Sequence, residues 1–287
     1  MPGLNSTGAP DTRDYTLGRG IVRLAALTAA GLPDADGFRD LGNAPEFNIT
    51  VSVEDLRHAS SRGQIKFTDK RVTISQEVGL SFNLDEINFQ NLGDFFSGST
   101  EVYNNPHDTT WAATAAIVQS SIKIGNWYQL KSDTGARVYD LGATGLVYTL
   151  VQDPSGTPVT LSADDYEIDL EMGLVRFLDT GTSALAAGDE IGFAVTTGAT
   201  VAQDLDQVNA LTEGDISGAL MFIQKNSADQ GNKSEYLFHK VSLASDGDLS
   251  LIGDDFTVLS FTGVAEVNSA VTDTSQVLTV RSYDQQA

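Results

Sequence analysis

Carboxylates are the most abundant reactive side chains in this sequence of 287 residues, which contains 39 acidic residues. Two carboxylates that face each other across a cleft, about 5–10 Å apart, can hydrolyse a glycosidic bond. Candidate pairs come from Asp164, Asp165, Glu167 and Asp169, and from the consecutive acids at 254 and 255. In so acidic a chain such pairs also arise by chance, so they are a weak catalytic signal.

Other catalytic and metal-binding patterns are missing from the sequence. There is no cysteine, which excludes thiolate nucleophiles, disulfides and Cys zinc sites. His58, His107 and His239 are far apart and form no H-x-x-x-H pair. The segment 246–248, Asp-Gly-Asp, resembles part of a calcium loop but lacks its further ligand positions. We therefore predict no enzymatic activity, no cofactor and no dedicated metal site.

The net charge of −22 restricts the partners of the chain. Binding to nucleic-acid backbone needs clustered Lys and Arg, and only 17 basic residues are present. No stretch approaches the roughly 20 apolar residues that span a bilayer, so no membrane insertion is expected. Residues 1–100 carry a net charge of −4, whereas residues 101–200 and 201–287 carry −9 each. The first third is thus the part best able to contact an acidic neighbour.

Two runs of alternating apolar and polar residues predict long β-strands, at 47–54 and 71–84. We expect their apolar positions to face a core: Phe47, Ile49, Val51, Val53, Val72, Ile74, Val78, Leu80, Phe82 and Leu84. The polar positions on the opposite face are Asn48, Thr50, Ser52, Glu54, Thr73, Ser75, Glu77, Ser81 and Asn83. The second run is about 45 Å long, so it either bends at a bulge, with Gly79 as the candidate, or extends beyond its domain.

The segment between these runs, 55–70, is predicted to be a long polar loop. It contains four basic residues in a chain that has few of them: Arg57, Arg62, Lys66 and Lys70. One helix is predicted, at 85–97, with Asp85 as its N-cap. Phe89, Leu92 and Phe96 recur at helical spacing and predict a face that packs on a core.

The rest of the chain predicts short strands and then long ones. Residues 122–198 combine short apolar runs with turn sequences about every ten residues, which indicates a small β subdomain inserted into a larger domain. The flanking parts, 1–121 and 199–287, would together form that larger domain. The predicted fold class is therefore mainly β, with one flanking α-helix and a small β subdomain.

Several segments resemble a known family. They are LGNAPEFNITV at 41–51, INFQNLGDFF at 87–96, WYQL at 127–130, DYEID at 165–169, FHKVSL at 238–243, LIGDDF at 251–256 and LSFTG at 259–263. In this order they resemble the major tail tube proteins of long, flexible-tailed (siphovirus-type) bacteriophages. The resemblance covers most of residues 15–266.

The resemblance implies a fold, an assembly and a location. The fold is a tail-tube-type β-sandwich or small barrel, and six copies form a ring. The rings stack helically into a channel through which genomic DNA passes to the host without specific binding. The implied partners are further copies of the chain, the tape measure protein, the tail terminator and the distal tail protein. The location is the virion tail, after synthesis in the host cytoplasm.

We hypothesise roles in such a tube for the two sets of residues named above. The nine polar strand residues become candidates for the lumen, since no base is among them and DNA would form no ion pairs there. The four basic residues of the predicted loop 55–70 become candidates for ring stacking on an acidic neighbour. We expect the subdomain 122–198 to project outward; the alternative is that it forms part of the wall.

Two other function classes remain open from sequence alone. A carbohydrate-binding or decoration β-sandwich on a virion or cell surface would present exposed aromatic side chains on a flat face. Its candidates, Trp111, Trp127, Tyr139 and Tyr148, form no obvious platform in the sequence. A carboxylate hydrolase would need a cleft in which one acid has a raised pKa.

Overall fold

A computed structural model describes most of the chain, and it divides the chain into two compact units. Unit 1 comprises Met1–Thr100 and Val208–Ala287, and unit 2 comprises Glu101–Gln207. The predicted subdomain 122–198 falls inside unit 2, which has wider bounds at both ends. The described residues are 15–62, 65–106, 109–112, 117–119, 122–142, 145–154, 156–179, 185–186, 188–198, 204–226, 233–272 and 275–283.

Strands dominate both units. The first elements are β1 (Gly18–Ala26), β2 (Arg39–Asp40), β3 (Glu46–Ser60), β4 (Phe67–Leu84), α1 (Phe89–Phe95) and β5 (Ser99–Tyr103), which crosses the boundary between the two units. They continue with β6 (Ile117–Gln119), β7 (Trp127–Gln129), β8 (Val147–Gln152), β9 (Val159–Thr160), β10 (Tyr166–Asp169), β11 (Leu174–Phe177), β12 (Ile191–Thr197) and β13 (Leu205–Asn209). The last are β14 (Ile216–Asn226), β15 (Lys233–Ser245), β16 (Leu259–Ala265) and β17 (Leu278–Tyr283). With 52% strand and 5% helix, the predicted mainly-β class is confirmed.

Unit 1 is built on one antiparallel sheet with the order β2-β1-β14-β15-β16-β4-β3. Strand β15 has 13 residues and pairs with two different strands on its far side. Its first half pairs with β17 and its second half with β16. Strand β4 lies between β3, which precedes it in the sequence, and β16, which begins much later at Leu259.

Aromatic side chains from five strands form the core of unit 1. Phe47 stacks on Phe222 with ring centroids 4.5 Å apart, and Phe82 stacks on Phe261 at 5.2 Å. Phe238 is fully buried beside them. The predicted inward orientation of Phe47 and Phe82 is thus correct. Stacked and offset rings of this kind contribute beyond the apolar area that they bury.

The helix α1 is shorter than predicted and starts later. It spans Phe89–Phe95, and its N-cap is Asn88, whose side-chain oxygen accepts from the Asn91 amide at 2.8 Å. Asp85 is not the cap, because its carboxylate binds the Asn43 side-chain amide instead. The helix buries Phe95 against the sheet, whereas Phe89 at its first turn is exposed. Helical spacing therefore located the helix but not the whole of its buried face.

Arg39 on β2 ties the helix to the sheet. Its guanidinium donates to the Asn91 side-chain oxygen at 2.6 Å and pairs with Asp94. Asn91 is fully buried, and its amide donates to the Leu41 carbonyl at 2.8 Å. Burial raises the pKa of Asp94, while the neighbouring Arg39 acts in the opposite direction. The network satisfies polar groups that would otherwise be costly to bury.

Unit 2 contains two small antiparallel sheets around its own core. The orders are β10-β11-β7 and β6-β12-β8-β9. Val175, Phe177, Ile191 and Phe193 are fully buried between them. The indole N–H of the buried Trp111 donates to the Phe193 carbonyl at 3.1 Å.

Among the described residues, no helix is long and apolar enough to cross a membrane.

Candidate functional site: an extended two-stranded ribbon

Strands β3 and β4 continue beyond the sheet as a two-stranded ribbon. β16 pairs with β4 only from Val78 to Leu84, whereas β3 pairs with β4 as far as Ser60 opposite Phe67. Residues 52–60 and 67–77 thus have no third strand in the described part of the chain; together with the described connecting residues 61–62 and 65–66, we call them the ribbon. At about 3.3 Å per residue, the 11 residues 67–77 extend about 35 Å.

The predicted loop 55–70 is therefore wrong in its secondary structure. Residues 55–60 and 67–70 are paired strand. Alternation of apolar and polar residues reports the burial of one face rather than strand pairing itself. Both faces of residues 55–60 and 67–70 are largely exposed, so this segment shows no alternation and still forms backbone ladder bonds.

The expectation that the apolar positions of this ribbon, and Val51 just before it, face a core is also wrong. Val51, Val53, Val72 and Ile74 are all exposed, with Ile74 at 58% and Val51 at 66% of full exposure. The physical reason is that the sheet ends beside Val78, so no layer covers the strands beyond that point. Large apolar side chains left in water on a protruding element are typical of a contact surface.

Register brings eight of the nine polar candidates onto one face of β3 and β4. The opposed pairs are Asn48–Ser81, Thr50–Gly79, Ser52–Glu77 and Glu54–Ser75, with Asn83 opposite Glu46. Side-chain bonds join members of this face, from Ser75 Oγ to the Glu54 carboxylate at 3.2 Å and from Asn83 to Glu46 at 3.1 Å. The same face continues onto β16, where Ser260 and Thr262 lie opposite Asn83 and Ser81.

Thr73 is the exception, because a bulge separates it from the others. Glu54 lies opposite Ser75 but Asp55 lies opposite Thr73, so Ile74 is an extra residue in β4. The extra residue turns Thr73 to the Asp55 side of the ribbon. The prediction that Thr73 shares a face with Ser75 is therefore wrong. The predicted bulge at Gly79 is wrong as well, since Gly79 lies in regular register opposite Thr50.

Two basic residues of the ribbon form ion pairs, and four others form none with the described residues. Arg71 pairs with Asp55, whose pKa is held below its usual value chiefly by the hydrogen bond from Arg71. His58 Nδ1 lies 2.6 Å from Asp69. Within the described residues no ion pair is made by the remaining basic side chains, which are the four stacking candidates Arg57, Arg62, Lys66 and Lys70. All four are exposed at the far end of the ribbon.

A second exposed surface lies in the connection between β15 and β16, at residues 246–258, which we call the acidic loop. It carries four acids and no base: Asp246, Asp248, Asp254 and Asp255. Leu251, Ile252 and Phe256 in the same loop are 81%, 96% and 93% exposed. No cluster of three or more His, Asp or Glu side chains suited to a metal occurs among the described residues, so the calcium-like fragment 246–248 gathers no further ligands there.

Three of the carboxylates considered for hydrolysis have structural partners in unit 2. Glu167 pairs with Arg176, Asp165 accepts from the Ser162 amide at 3.1 Å, and Asp169 accepts from the Met172 amide at 3.0 Å. These contacts stabilise a strand pair and two turns.

The histidines follow the same pattern of ordinary contacts. His239 Nε2 lies 2.9 Å from the Thr279 hydroxyl, and burial lowers its pKa. His107 lies outside the described residues.

The aromatic candidates for carbohydrate binding are not equivalent. Trp111 is buried and already hydrogen-bonded, so it offers no binding face. Trp127 is half exposed, with the Arg176 guanidinium 5.3 Å from its ring centroid, and Arg137 lies 4.4 Å from the Tyr139 ring. Tyr148 is partly buried against Phe193. The structure gives these rings packing partners and no common flat face.

A family model described as "Protein of unknown function UCP028589" matches residues 15–277. The chain belongs to this family. The matched residues of the chain span both compact units and include the whole ribbon and the acidic loop. No curated protein matches the chain.

Sequence reasoning missed two features of this UCP028589 member. The first is that the basic segment 55–70 is a strand pair; its signal is the β-branched and aromatic content of the flanks at Val72, Ile74 and Phe67. The second is the exposure of the acidic loop, whose signal is three large apolar residues among turn-forming Gly, Asp and Ser.

Proposed function

We propose that the chain is a structural subunit of a bacteriophage tail tube. Six copies form a ring, and the rings stack into a channel through which genomic DNA passes to the host. The observation that carries the proposal is the ribbon, a protruding strand pair with exposed apolar residues and four exposed cations that form no ion pair with another described residue. An isolated globular protein gains nothing from such an element, whereas a stacking subunit needs one.

The edges of the unit 1 sheet support assembly from copies. One edge is β3, and at the other edge β2 pairs only with Arg23 and Leu24 of β1. Long open edges are templates for pairing with another chain. Closing several sheets edge to edge into a ring removes the open edges, so a ring is a physical answer to the hazard that they create.

The polar face of the sheet suits a channel for DNA. Its carboxylates are Glu46, Glu54 and Glu77, and the positions named above on β3, β4 and β16 include no basic residue. DNA is held by lysine and arginine contacts to phosphate, so a wall of this composition repels the backbone and leaves it mobile. We propose that this face lines the lumen and that the ribbon reaches the next ring.

The assembly would meet other tail components at its ends. We propose the tape measure protein inside the tube and the tail terminator and distal tail protein at its two ends, all in the virion after synthesis in the host cytoplasm. None of these steps requires a cofactor, a metal or a chemical reaction of the chain.

Negative-stain electron microscopy of the purified chain tests this function. We expect hollow rings or tubes at high protein concentration and moderate salt. A chain that stays monomeric, alone and with the other tail proteins present, contradicts the proposal. In that case a glycan array distinguishes the carbohydrate-binding alternative, in which binding would depend on Trp127, the half-exposed indole of unit 2.

A further inference from the structure

The acidic loop presents an apolar surface that the chain itself does not cover. Three consecutive or nearly consecutive large side chains, Leu251, Ile252 and Phe256, are each more than four-fifths exposed. The four acids of the loop lie around them in the sequence. An exposed apolar centre with a charged rim is the composition of a protein interface rather than of ordinary surface.

The loop is held in one shape, so this exposure is a property of the fold. The Asp246 amide donates to the Ser260 carbonyl at 2.8 Å and fixes the base of the loop. The Thr257 hydroxyl donates to the Ser250 carbonyl at 2.9 Å and closes the segment that carries Leu251 and Ile252. A preordered loop loses less conformational entropy when it binds.

The end of the ribbon has the complementary composition. Residues 55–71 contain five bases and two acids, against four acids and no base in the acidic loop. Leu56, Ile65 and Phe67 are between 63% and 69% exposed, so the ribbon also presents apolar contact area. One surface is thus apolar and basic, and the other is apolar and acidic. Complementary potentials of this kind select partners and fix their register.

The two surfaces lie at opposite ends of the same strand. Phe67 begins β4 at the far end of the ribbon. Leu84 ends β4 opposite Leu259, the first residue after the acidic loop. The 17 steps between them span about 56 Å at 3.3 Å per residue. The end of the ribbon in one copy therefore does not reach the acidic loop of the same copy. Two different complementary surfaces on one chain form a head-to-tail contact, which propagates along an open assembly.

We propose that the acidic loop of one copy receives the ribbon end of another copy. This inference rests on the proposed function and deepens it, because it names the surface on which the ribbon stacks. Leu251, Ile252 and Phe256 contact the ribbon's exposed apolar residues, while Asp254 and Asp255 pair with its free cations. Since the ribbon end and the acidic loop lie at the two ends of β4, the contact repeats along the strand direction and gives the stack its polarity.

Charge exchange tests the pairing. We expect Asp254→Lys with Asp255→Lys to reduce pelletable tube at least about tenfold, because it sets lysines against the ribbon's cations. Adding Arg62→Glu and Lys66→Glu to the same chain restores attraction and recovers the tubes. Asp34→Lys with Asp36→Lys is the matched control; both acids are exposed in unit 1 outside either surface, and this variant assembles like the wild type. Circular dichroism verifies that each variant is folded.

Cross-linking tests the contact itself. The chain has no cysteine, so Phe67→Cys and Ile252→Cys introduce the only two thiols. Treated with a short bismaleimide, assembled chains with both substitutions give a ladder of multimers. An equal mixture of the two single variants stops at dimers, because each chain then has only one reactive end.

The outcomes separate this inference from the proposed function. If the wild type forms tubes and the Asp254→Lys, Asp255→Lys variant forms them equally well, the ribbon docks elsewhere while the tube function stands. If that variant fails, the exchange does not restore it and no ladder forms, the acidic loop binds a different partner and the inference is wrong. If the wild type forms neither rings nor tubes with the other tail proteins present, both proposals fail.

Discussion

Thr73 lies directly opposite Asp55 in the ribbon, and its hydroxyl donates to the Asp55 carboxylate at 3.0 Å. This pair exists because Ile74 is an extra residue in β4, which turns Thr73 away from Ser75. Arg71 reaches the same carboxylate. The bulge therefore gathers an aspartate, a threonine and an arginine on one side of the ribbon, and it leaves the glutamates on the other.

The first prediction concerns the pKa of Asp55. Arg71 contributes the largest lowering and Thr73 a further one, so the pKa in the folded chain lies below the ordinary value of about 3.9. Arg71→Gln should raise it toward that value, whereas Lys70→Gln should leave it nearly unchanged. Carboxyl NMR titration of Asp55 measures both.

The sign of the accompanying pH effect follows from the lowered pKa. The contact is fully formed above the ordinary pKa of an aspartate and is lost as pH falls through the lowered value. The protection factors of the ribbon amides, which are corrected for the intrinsic pH dependence of exchange, should therefore fall as the pH drops below about 4. A ribbon equally protected at pH 3 and pH 6 would contradict this role of Asp55.

The second prediction concerns the Arg39 network. Arg39→Ala removes the cation that pairs with Asp94 and the donor to the buried Asn91 side-chain oxygen, and we expect a loss of about 2 kcal/mol in the free energy of unfolding. Urea unfolding measures this loss, and Arg62→Ala on the exposed ribbon is the control with little effect. Because burial raises the pKa of Asp94, the unpaired carboxylate becomes protonated readily as pH falls. The difference between variant and wild type should therefore be smaller at pH 4.5 than at pH 7.

The third prediction contrasts two apolar residues of the same strand. Phe82 is 2% exposed and stacks on Phe261, so Phe82→Ala should cost about 3–5 kcal/mol of unfolding free energy. Ile74, at 58% exposure, has no covering layer. Ile74→Ser should change the stability of the isolated chain by less than about 0.5 kcal/mol. If the ribbon is a contact surface, Ile74→Ser still lowers the yield of tubes. A large loss of stability from Ile74→Ser would show that the side chain is covered within the chain.

The fourth prediction concerns the free cations of the ribbon. Replacing Arg57, Arg62, Lys66 and Lys70 with glutamate should leave the fold intact and stop tube growth, because the ribbon would then repel an acidic neighbour. The control replaces four exposed bases elsewhere with glutamate, which gives the same change in net charge: Arg19, Lys123, Lys225 and Lys233. Sedimentation and electron microscopy measure assembly. Normal tubes from the ribbon variant would show that the ribbon takes no part in the stacking contact.

The sequence by itself determined the class of the fold and the chemical character of its surfaces. Alternation with a period of two predicts strands wherever one face is buried, which is why Phe47, Ile49, Leu80 and Phe82 were oriented correctly. In a chain with only 17 basic residues, the four bases of the segment 55–70 mark it as unusual. These properties are local, and a local pattern is sufficient to read them.

Only the tertiary structure decided where burial ends along the same two strands. Val51 and Val72 carry the same alternation as Ile49 and Leu80, yet they are exposed because β16 pairs with β4 no further than Val78. That limit is set by residues 259–265, nearly two hundred positions away, and no local pattern contains it. The bulge at Ile74 is likewise a property of two strands in register. The sheet's non-local pairing therefore determines which residues are left free to meet another molecule.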